Sequence, residues 1–207
     1  MGRRGIRVTA LWGTAVLFAC AWARTPAGPT DLPAPPSPYA VAPAPPCERI
    51  TLIVVRKRER RLHAYCEGGG RVEMIAALGR EDGPKRSSGD ARTPEGRYRI
   101  SEPARPSRFH RFVPIDYPGV ADAEIARITG RLSRADYQRI VDAHESGMPP
   151  PTDTALGGDL GLHGEGRRWR GDSRDLDWTY GCVGLADADI DFLAARSAIG
   201  TPVVIEP

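Results

Sequence analysis

The chain has 207 residues, enough for one domain with appendages, and a formal charge of only +3. Its densest basic run, Arg56–Arg61, falls at a predicted turn and contains no aromatic residue. This pattern favours a solvated turn over a polyanion site, so we expect no nucleic-acid partner. No CxxC or HExxH motif occurs, and the four Cys and four His are scattered, so we expect no metal and no cofactor.

Residues 1–23 have the pattern of an export signal: arginines precede an apolar run, Val8–Ala19, that is too short for a stable membrane anchor. Two processing sites are open. Ala21-Trp22-Ala23 is a cleavage motif that would release a soluble protein, whereas Leu17-Phe18-Ala19-Cys20 resembles a lipobox and would place a lipid on Cys20. An uncleaved anchor is the less favoured alternative. We therefore expect contact with a membrane only through a lipid at Cys20.

Residues 24–46 are rich in proline and alanine. Proline favours extended polyproline II structure and such a segment cannot build a core, which predicts a spacer; a recognition ligand is the alternative. Residues 47–207 are left as the folded domain.

Short strand patterns dominate that domain. The predicted strands are Ile50–Val55, Leu62–Tyr65, Val72–Leu78, Arg97–Ile100, His110–Ile115 and a closing Gly200–Ile205. The predicted helices are Asp122–Thr129, Arg134–Glu145 with Ser133 as N-cap, and a last helix capped by Asp187 that ends near Gly200. His144 falls on the apolar face of the second helix and is expected to be a face residue, not a catalyst. The domain is therefore predicted to be mostly β.

Two cysteines, Cys47 and Cys66, flank the first predicted hairpin and are candidates for a disulfide in an oxidising compartment. A regular hairpin that turns at Arg58-Glu59 would place Cys66 opposite Thr51. The bridge therefore requires an irregular strand start, and the sequence leaves both outcomes open.

The most informative residues are His163 and Cys182, each in a glycine-rich turn: Leu162-His163-Gly164 and Thr179-Tyr180-Gly181-Cys182. A thiolate is a nucleophile, and a neighbouring imidazole can generate it at neutral pH. Taken alone, a cysteine near a strand is more often a small buried apolar residue. Together with the segments upstream, however, the pair favours a nucleophile and its base.

Four segments follow one another in a characteristic order. They are the hairpin Ile50–Tyr65, the stretch Lys85–Tyr98 with its Thr93-Pro94-Glu95-Gly96, the stretch Leu156–Gly164, and Thr179–Cys182 with the helix and strand after it. Together they resemble the L,D-transpeptidase (YkuD-type) catalytic domain, from about Arg49 to the C-terminus. The sequence of the motif, Trp178-Thr179-Tyr180-Gly181-Cys182, looks closest to the YafK-like branch. The resemblance implies an L,D-transpeptidase-like β-sandwich with a few short helices.

The resemblance also implies roles. Cys182 matches the nucleophile, His163 the base and Thr179 the Ser/Thr of the motif, and the N–H groups of Gly181 and Cys182 line up with the oxyanion hole. Such an enzyme attacks stem peptides of peptidoglycan and forms a thioacyl-enzyme, in the periplasm or cell envelope. A wall-attached lipoprotein is a further candidate partner. The group that orients the imidazole is left open between the Gly161 carbonyl, Asp177 and another backbone oxygen, and we expect a backbone carbonyl.

Two departures from the family pattern matter. Many members carry His before the Gly-Cys pair and Arg two residues after the cysteine, where this chain has Tyr180 and Gly184. Without that Arg the carboxylate of a free stem lacks its usual partner, which favours slightly a hydrolase that cleaves joined stems over an enzyme that builds cross-links. A wall-binding module with a silent thiol is the third class.

Candidate substrate-binding residues are Tyr180, Trp178 and Arg92, although Arg92 and Tyr98 are better explained as supports of the Thr-Pro-Glu-Gly loop. Glu165–Trp178 is predicted to form a loop over the cleft, in which Trp169 or Trp178 would stack on substrate or anchor the loop.

Overall fold

The computed structural model describes residues 47–166 and 177–207. The predicted signal and spacer, residues 1–23 and 24–46, lie outside this part of the chain. In the described ranges, no helix is both long and apolar enough to cross a membrane. The strands are Ile50–Arg56 (β1), Arg61–Cys66 (β2), Arg71–Ile75 (β3), Leu78–Gly79 (β4), Gly96–Arg99 (β5), Arg105–Ser107 (β6), His110–Pro114 (β7), Gly161–His163 (β8), Asp177–Thr179 (β9), Val183–Gly184 (β10) and Pro202–Glu206 (β11). The helices are Val120–Ile128 (α1), Arg134–Glu145 (α2) and Asp187–Arg196 (α3).

A five-stranded sheet of order β3-β2-β1-β11-β5 forms one layer. The predicted hairpin is confirmed, because β1 and β2 pair antiparallel with Val55 opposite Leu62. The closing strand β11 lies parallel to β1 at the centre of this sheet. The predicted strand Val72–Leu78 is wrong as one element: β3 pairs with β2, whereas β4 leaves that sheet and pairs with β9.

A four-stranded sheet of order β10-β8-β7-β6 forms the facing layer. One core cluster contains residues of both sheets, including Ile53 and Val203 from the first and Val113, Leu162 and Val183 from the second. Apolar side chains on the inner faces of two sheets exclude water from both at once. The predicted mostly-β sandwich is therefore confirmed.

The disulfide between Cys47 and Cys66 is present. Ile50 lies opposite Cys66, whereas Leu52 lies opposite Tyr65, so the register shifts by one residue at the start of β1. This is the irregular strand start that the bridge requires.

Helices α1 and α2 pack on each other beside the sandwich. Ser133 is the N-cap of α2 as predicted, since its hydroxyl accepts a hydrogen bond from the Asp136 N–H. His144 bonds through Nε2 to the Pro118 carbonyl oxygen at 2.9 Å, as expected for a residue on the packed face. The first helix begins at Val120, two residues before the predicted start.

The predicted cap of the last helix is wrong. Ala186 is the N-cap of α3 and Asp187 is its first helical residue. The Asp187 carboxylate instead accepts a hydrogen bond from the Gly166 N–H at 2.9 Å.

Buried charges hold the Lys85–Tyr98 segment in place. The Lys85 ammonium lies 2.8 Å from the Asp90 carboxylate, which also accepts from the N–H groups of Arg86, Ser87 and Arg92. Burial raises the pKa of Asp90, but these hydrogen bonds outweigh it and leave the pKa below its ordinary value. Tyr98 is buried and bonds to Asp122, which supports its structural interpretation.

Candidate active site

Two adjacent parallel strands bring His163 and Cys182 to one cleft. In the β8–β10 pair, Leu162 lies opposite Val183, and both side chains are in the core. Side chains alternate across a strand, so the residues next to them, His163 and Cys182, face the other way. Both line a cleft of about 610 Å³.

A hydroxyl holds the turn that carries the cysteine. Thr179 Oγ1 accepts a hydrogen bond from the Gly181 N–H at 3.1 Å and donates one to the Cys182 carbonyl oxygen at 2.7 Å. The Gly181 N–H, predicted to bind an oxyanion, therefore already has a partner. Of the two N–H groups predicted to bind the oxyanion, that of Cys182 remains as the candidate donor.

Glycine is required at position 181 for two reasons. Its φ of +125° is a conformation that residues with a Cβ rarely adopt, and an added Cβ would lie 2.7 Å from the Arg92 carbonyl oxygen. The backbone of Arg92 thus supports the turn from behind. The Arg92 side chain is not among the described residues that line the cleft, and its role in substrate binding stays a prediction.

The thiol of Cys182 is free and lies near backbone groups of two neighbouring residues. Its Sγ is 3.8 Å from the Asp159 carbonyl oxygen, and the Gly161 N–H points to it. Although the residue is partly accessible, its sulfur is deep enough that burial raises the thiol pKa to about 11. The resting thiol is therefore protonated at neutral pH.

Aromatic rings enclose the His163 imidazole, which is 3 % exposed. Phe109 stacks on it with a centroid distance of 4.7 Å, and Trp178 meets its edge at 5.5 Å. His163 Nδ1 lies 2.6 Å from the Gly164 carbonyl oxygen. A carbonyl can only accept, so Nδ1 carries the proton and Nε2 is left as the basic nitrogen. The partner is a backbone carbonyl, as predicted, but that of Gly164 and not of Gly161, while Asp177 bonds to Arg60.

Burial also sets the protonation of this imidazole. Burial is the largest effect and lowers the pKa of His163. The hydrogen bond to the Gly164 carbonyl opposes it in part, and the weaker effect of the Arg108 charge acts in the same direction as burial. The imidazole is therefore neutral at physiological pH. The resting pair is a neutral thiol and a neutral base.

Of the residues that the structure describes, three arginines line the cleft: Arg80, Arg105 and Arg108. Arg105 is paired with Glu102 at 3.0 Å, and Arg108 lies over the Phe109 ring. These arginines and Phe109 were not predicted as site residues. No local motif marks them, because each reaches the cleft from a segment remote from the His163 and Cys182 turns.

Tyr180 and Trp178 both line the cleft, as predicted for substrate-contacting residues. Tyr180 is 66 % exposed, whereas Trp178 is buried against His163. The predicted covering loop falls largely on residues 167–176, including Trp169, which lie outside the described residues.

Gly184, which stands where many family members have Arg, is tightly packed. It exchanges two backbone hydrogen bonds of 2.8 Å with Ala77. A Cβ at this position would lie 3.0 Å from Trp178 Cζ2 and 3.2 Å from the Ala77 Cβ. Trp178 therefore occupies the space next to this position.

Among the described residues, no group of three His, Cys, Asp or Glu side chains is placed to hold a metal ion.

Several known structures resemble the chain. The helical cell shape determining protein Pgp2 from Campylobacter jejuni matches with a TM-score of 0.51 and 19 % identity, over 76 % of this chain and 47 % of that one. Bd1075 from Bdellovibrio bacteriovorus matches with a TM-score of 0.43 and 21 % identity, over 76 % and 48 %. L,D-transpeptidase 1 from Mycobacterium tuberculosis matches with a TM-score of 0.39 and 12 % identity, over 75 % and 60 %.

At these identities the likeness concerns the fold alone, and the chain spans about half the length of the first two structures. A search of curated protein sequences finds no match. The resemblance to the YafK-like branch stays a prediction. The family model of the L,D-transpeptidase catalytic domain (YkuD), in contrast, matches residues 50–205, nearly all of the folded domain. The chain therefore belongs to the YkuD family of L,D-transpeptidase catalytic domains.

Proposed function

We propose that this protein is an exported cysteine enzyme that modifies peptidoglycan, acting on stem peptides through a thioacyl-enzyme at Cys182. One observation carries the proposal: the β8–β10 pair places His163 and Cys182 in the same cleft. Because His163 Nδ1 bonds to the Gly164 carbonyl oxygen, Nε2 is available as the base. Family membership supports the substrate class, because L,D-transpeptidases act on peptidoglycan stem peptides.

In the first half-reaction, Cys182 Sγ attacks the carbonyl carbon of a stem-peptide bond while His163 Nε2 takes the thiol proton. The carbonyl oxygen becomes an oxyanion, and the Cys182 N–H is the candidate donor that stabilises it. Such a donor contributes about 3–4 kcal/mol in other acyl-transfer enzymes. The tetrahedral intermediate then expels the amine, which takes the proton from His163, and a thioester remains on Cys182.

In the second half-reaction, an amine or a water molecule attacks the thioester. His163 Nε2 takes the proton of the incoming group and returns it to the departing sulfur. An amine gives a new amide bond, whereas water gives a free carboxylate. The same site can therefore support transfer or hydrolysis, depending on the group that enters the cleft.

The resting protonation state favours general-base catalysis over a preformed ion pair. Burial raises the thiol pKa to about 11 and lowers the pKa of the imidazole. Both shifts oppose a thiolate–imidazolium pair in the empty site. The proton therefore moves from Cys182 to His163 as the sulfur attacks.

We further propose the domain organisation that the sequence predicts. Residues 1–23 direct export, residues 24–46 act as a spacer, and residues 47–207 form the catalytic domain. A proline-rich spacer would let the domain reach stem peptides within the wall from a membrane-proximal start. The periplasm or cell envelope is the corresponding location.

A cleavage-only enzyme is the second candidate. The observation that favours it is Gly184 itself, which supplies no cation two residues after the nucleophile and is tightly packed against Trp178. A joined stem, linked to another stem or to a wall-attached lipoprotein, lacks the free carboxylate that such a cation would bind. Purified enzyme offered both free tetrapeptides and joined stems separates the two candidates by the masses of the products.

The central test is mass spectrometry of digested sacculi before and after treatment with the purified protein, alongside labelling by an acylating carbapenem-type probe. Wild type should change the stem-peptide profile and carry the label on Cys182. Cys182→Ala should do neither, and His163→Gln should lower turnover by about 10²- to 10⁴-fold.

His110→Gln is the matched control, because His110 bonds to Asp191 away from the cleft and should retain wild-type turnover. Equal labelling of Cys182→Ala would overturn the assignment of the nucleophile. An unlabelled wild-type protein that leaves sacculi unchanged would support a wall-binding module instead.

A further inference from the structure

Arg80 is fixed beside the nucleophile turn by three hydrogen bonds. Its backbone N–H donates to the Thr179 carbonyl oxygen at 3.2 Å, and its Nε to the Trp178 carbonyl oxygen at 3.3 Å. Its Nη1 donates to the Tyr180 hydroxyl at 3.2 Å, while the guanidinium carbon lies 4.5 Å above the Tyr180 ring. The guanidinium therefore lies against the segment that leads directly into Cys182.

This guanidinium has donor capacity to spare. Arginine carries five side-chain N–H groups, and the bonds to Trp178 and Tyr180 use two of them. In residues 47–166 and 177–207, no carboxylate forms an ion pair with Arg80. In contrast, Glu102 already pairs with Arg105 in the same cleft. With respect to the described residues, Arg80 is thus a positioned cation at the wall of the cleft with N–H donors still available.

The charges of the cleft favour an anionic ligand. Its described lining contains three arginines, Arg80, Arg105 and Arg108, and one acid, Asp159. Tyr180 adds an exposed ring that keeps the Arg80 guanidinium stacked and oriented. A planar, oriented guanidinium binds a carboxylate through two parallel hydrogen bonds, which gives selectivity as well as affinity.

We propose that Arg80, oriented by Tyr180, binds a carboxylate of the substrate beside the scissile bond and makes the enzyme selective for stem peptides in which that group is free. The inference rests on the proposed function and adds a determinant of specificity to it. Two carboxylates of a stem have the required chemistry: the C-terminal carboxylate and the side-chain carboxylate of a diaminopimelate-type residue. Conversion of either one to the amide removes the charge and the second acceptor.

The test uses the full chain with Cys182→Ala, so that binding is measured without turnover. Calorimetry would give the Kd of four stem peptides: unmodified, C-terminally amidated, side-chain amidated and doubly amidated. We expect one amidation to weaken binding by roughly 10- to 100-fold, the range for a charge-assisted hydrogen-bonded pair, and thereby to identify the carboxylate. In the Arg80→Gln background, the same amidation should change Kd by less than about 2-fold.

Arg105→Gln is the matched control, since Arg105 lines the same cleft but is neutralised by Glu102; it should keep the full amidation effect. Tyr180→Phe keeps the ring and the cation but removes the hydroxyl that accepts from Arg80. It should retain binding and reduce the amidation effect. Circular dichroism of each variant establishes that it is folded.

An undiminished amidation effect in folded Arg80→Gln, or an equal loss in Arg105→Gln, would overturn the inference. The proposed function fails by a different result: wild type that yields no product from any of the four peptides. If the peptides bind in an Arg80-dependent manner but no product forms, the carboxylate site is supported and the proposed reaction is wrong.

Discussion

The indole of Trp178 lies directly beside Gly184, so that a Cβ added at Gly184 would be 3.0 Å from Trp178 Cζ2. The same indole meets the edge of the His163 imidazole at 5.5 Å. A side chain at position 184 would therefore displace the ring that helps to position the base. The absence of the family's Arg and the presence of Trp178 are two parts of one packing arrangement.

Replacing Gly184 by Arg tests that arrangement. Overpacking a buried site costs about 1–3 kcal/mol, and a buried unpaired charge costs more, so Gly184→Arg should lower the free energy of unfolding by at least that amount. Chemical denaturation measures the change. Thr51→Arg, at an exposed position of β1, is the control and should change stability by less than about 0.5 kcal/mol. A Gly184→Arg protein as stable as wild type would mean that Trp178 moves without cost.

The alkylation rate of Cys182 should keep rising with pH well above neutrality. A thiol whose pKa burial has raised to about 11 has less thiolate at any given pH than a free cysteine, and the fraction grows until pH passes that pKa. Rates with iodoacetamide across a pH series, compared with those of free cysteine, measure this. A rate that levels off below pH 7 would instead indicate a thiolate–imidazolium pair, and the neutral resting state would be wrong.

Removal of the Thr179 hydroxyl should loosen the nucleophile turn. Thr179→Val deprives the buried Gly181 N–H of its acceptor, and an unsatisfied buried donor costs about 1–3 kcal/mol. We expect both the stability and the rate of Cys182 labelling to fall. Thr179→Ser keeps the hydroxyl and should remain close to wild type in both measurements. If Thr179→Val and Thr179→Ser behave alike, the hydroxyl does not hold the turn.

Reduction of the Cys47–Cys66 disulfide should destabilise the domain without removing its nucleophile. A bridge that closes a loop over a sequence separation of 19 contributes about 3 kcal/mol in the chain-entropy account. The double variant Cys47→Ser with Cys66→Ser should therefore unfold at a lower temperature, while Cys182 still accepts an acylating probe. An unchanged unfolding temperature would show that the register shift at Ile50 is stable by itself.

Local signals in the sequence were sufficient for much of the fold. The β-branched run of β1 and its turn predict the first hairpin, because alternation and turn chemistry act over a few residues. Ser133 predicts the start of α2 for the same reason: an N-cap hydroxyl bonds to an amide only three residues away. The candidate pair His163 and Cys182 could also be proposed, because each lies in a glycine-rich turn and the segments around them resemble the YkuD domain.

Other contacts depend on residues far apart in the chain. The Asp187 carboxylate bonds to Gly166 and does not cap its own helix, because tertiary packing brings that more distant amide within reach. The Gly181 N–H, which the resemblance assigns to the oxyanion hole, donates its hydrogen bond to Thr179 Oγ1. In both cases a polar group has more than one possible partner, and only the folded geometry selects between them.

The sequence by itself determined the mostly-β class of the domain and predicted the type of chemistry, a thiol with an imidazole. Only the tertiary structure decided the environment of that chemistry: the rings that enclose His163, the burial that raises the thiol pKa, and the placement of Arg80 against Tyr180, a separation of 100 residues. The physical reason is that hydrogen-bonding and alternation patterns repeat within a few residues and are readable along the chain. Burial and electrostatics depend on distances in space, which exist only after the two sheets have packed.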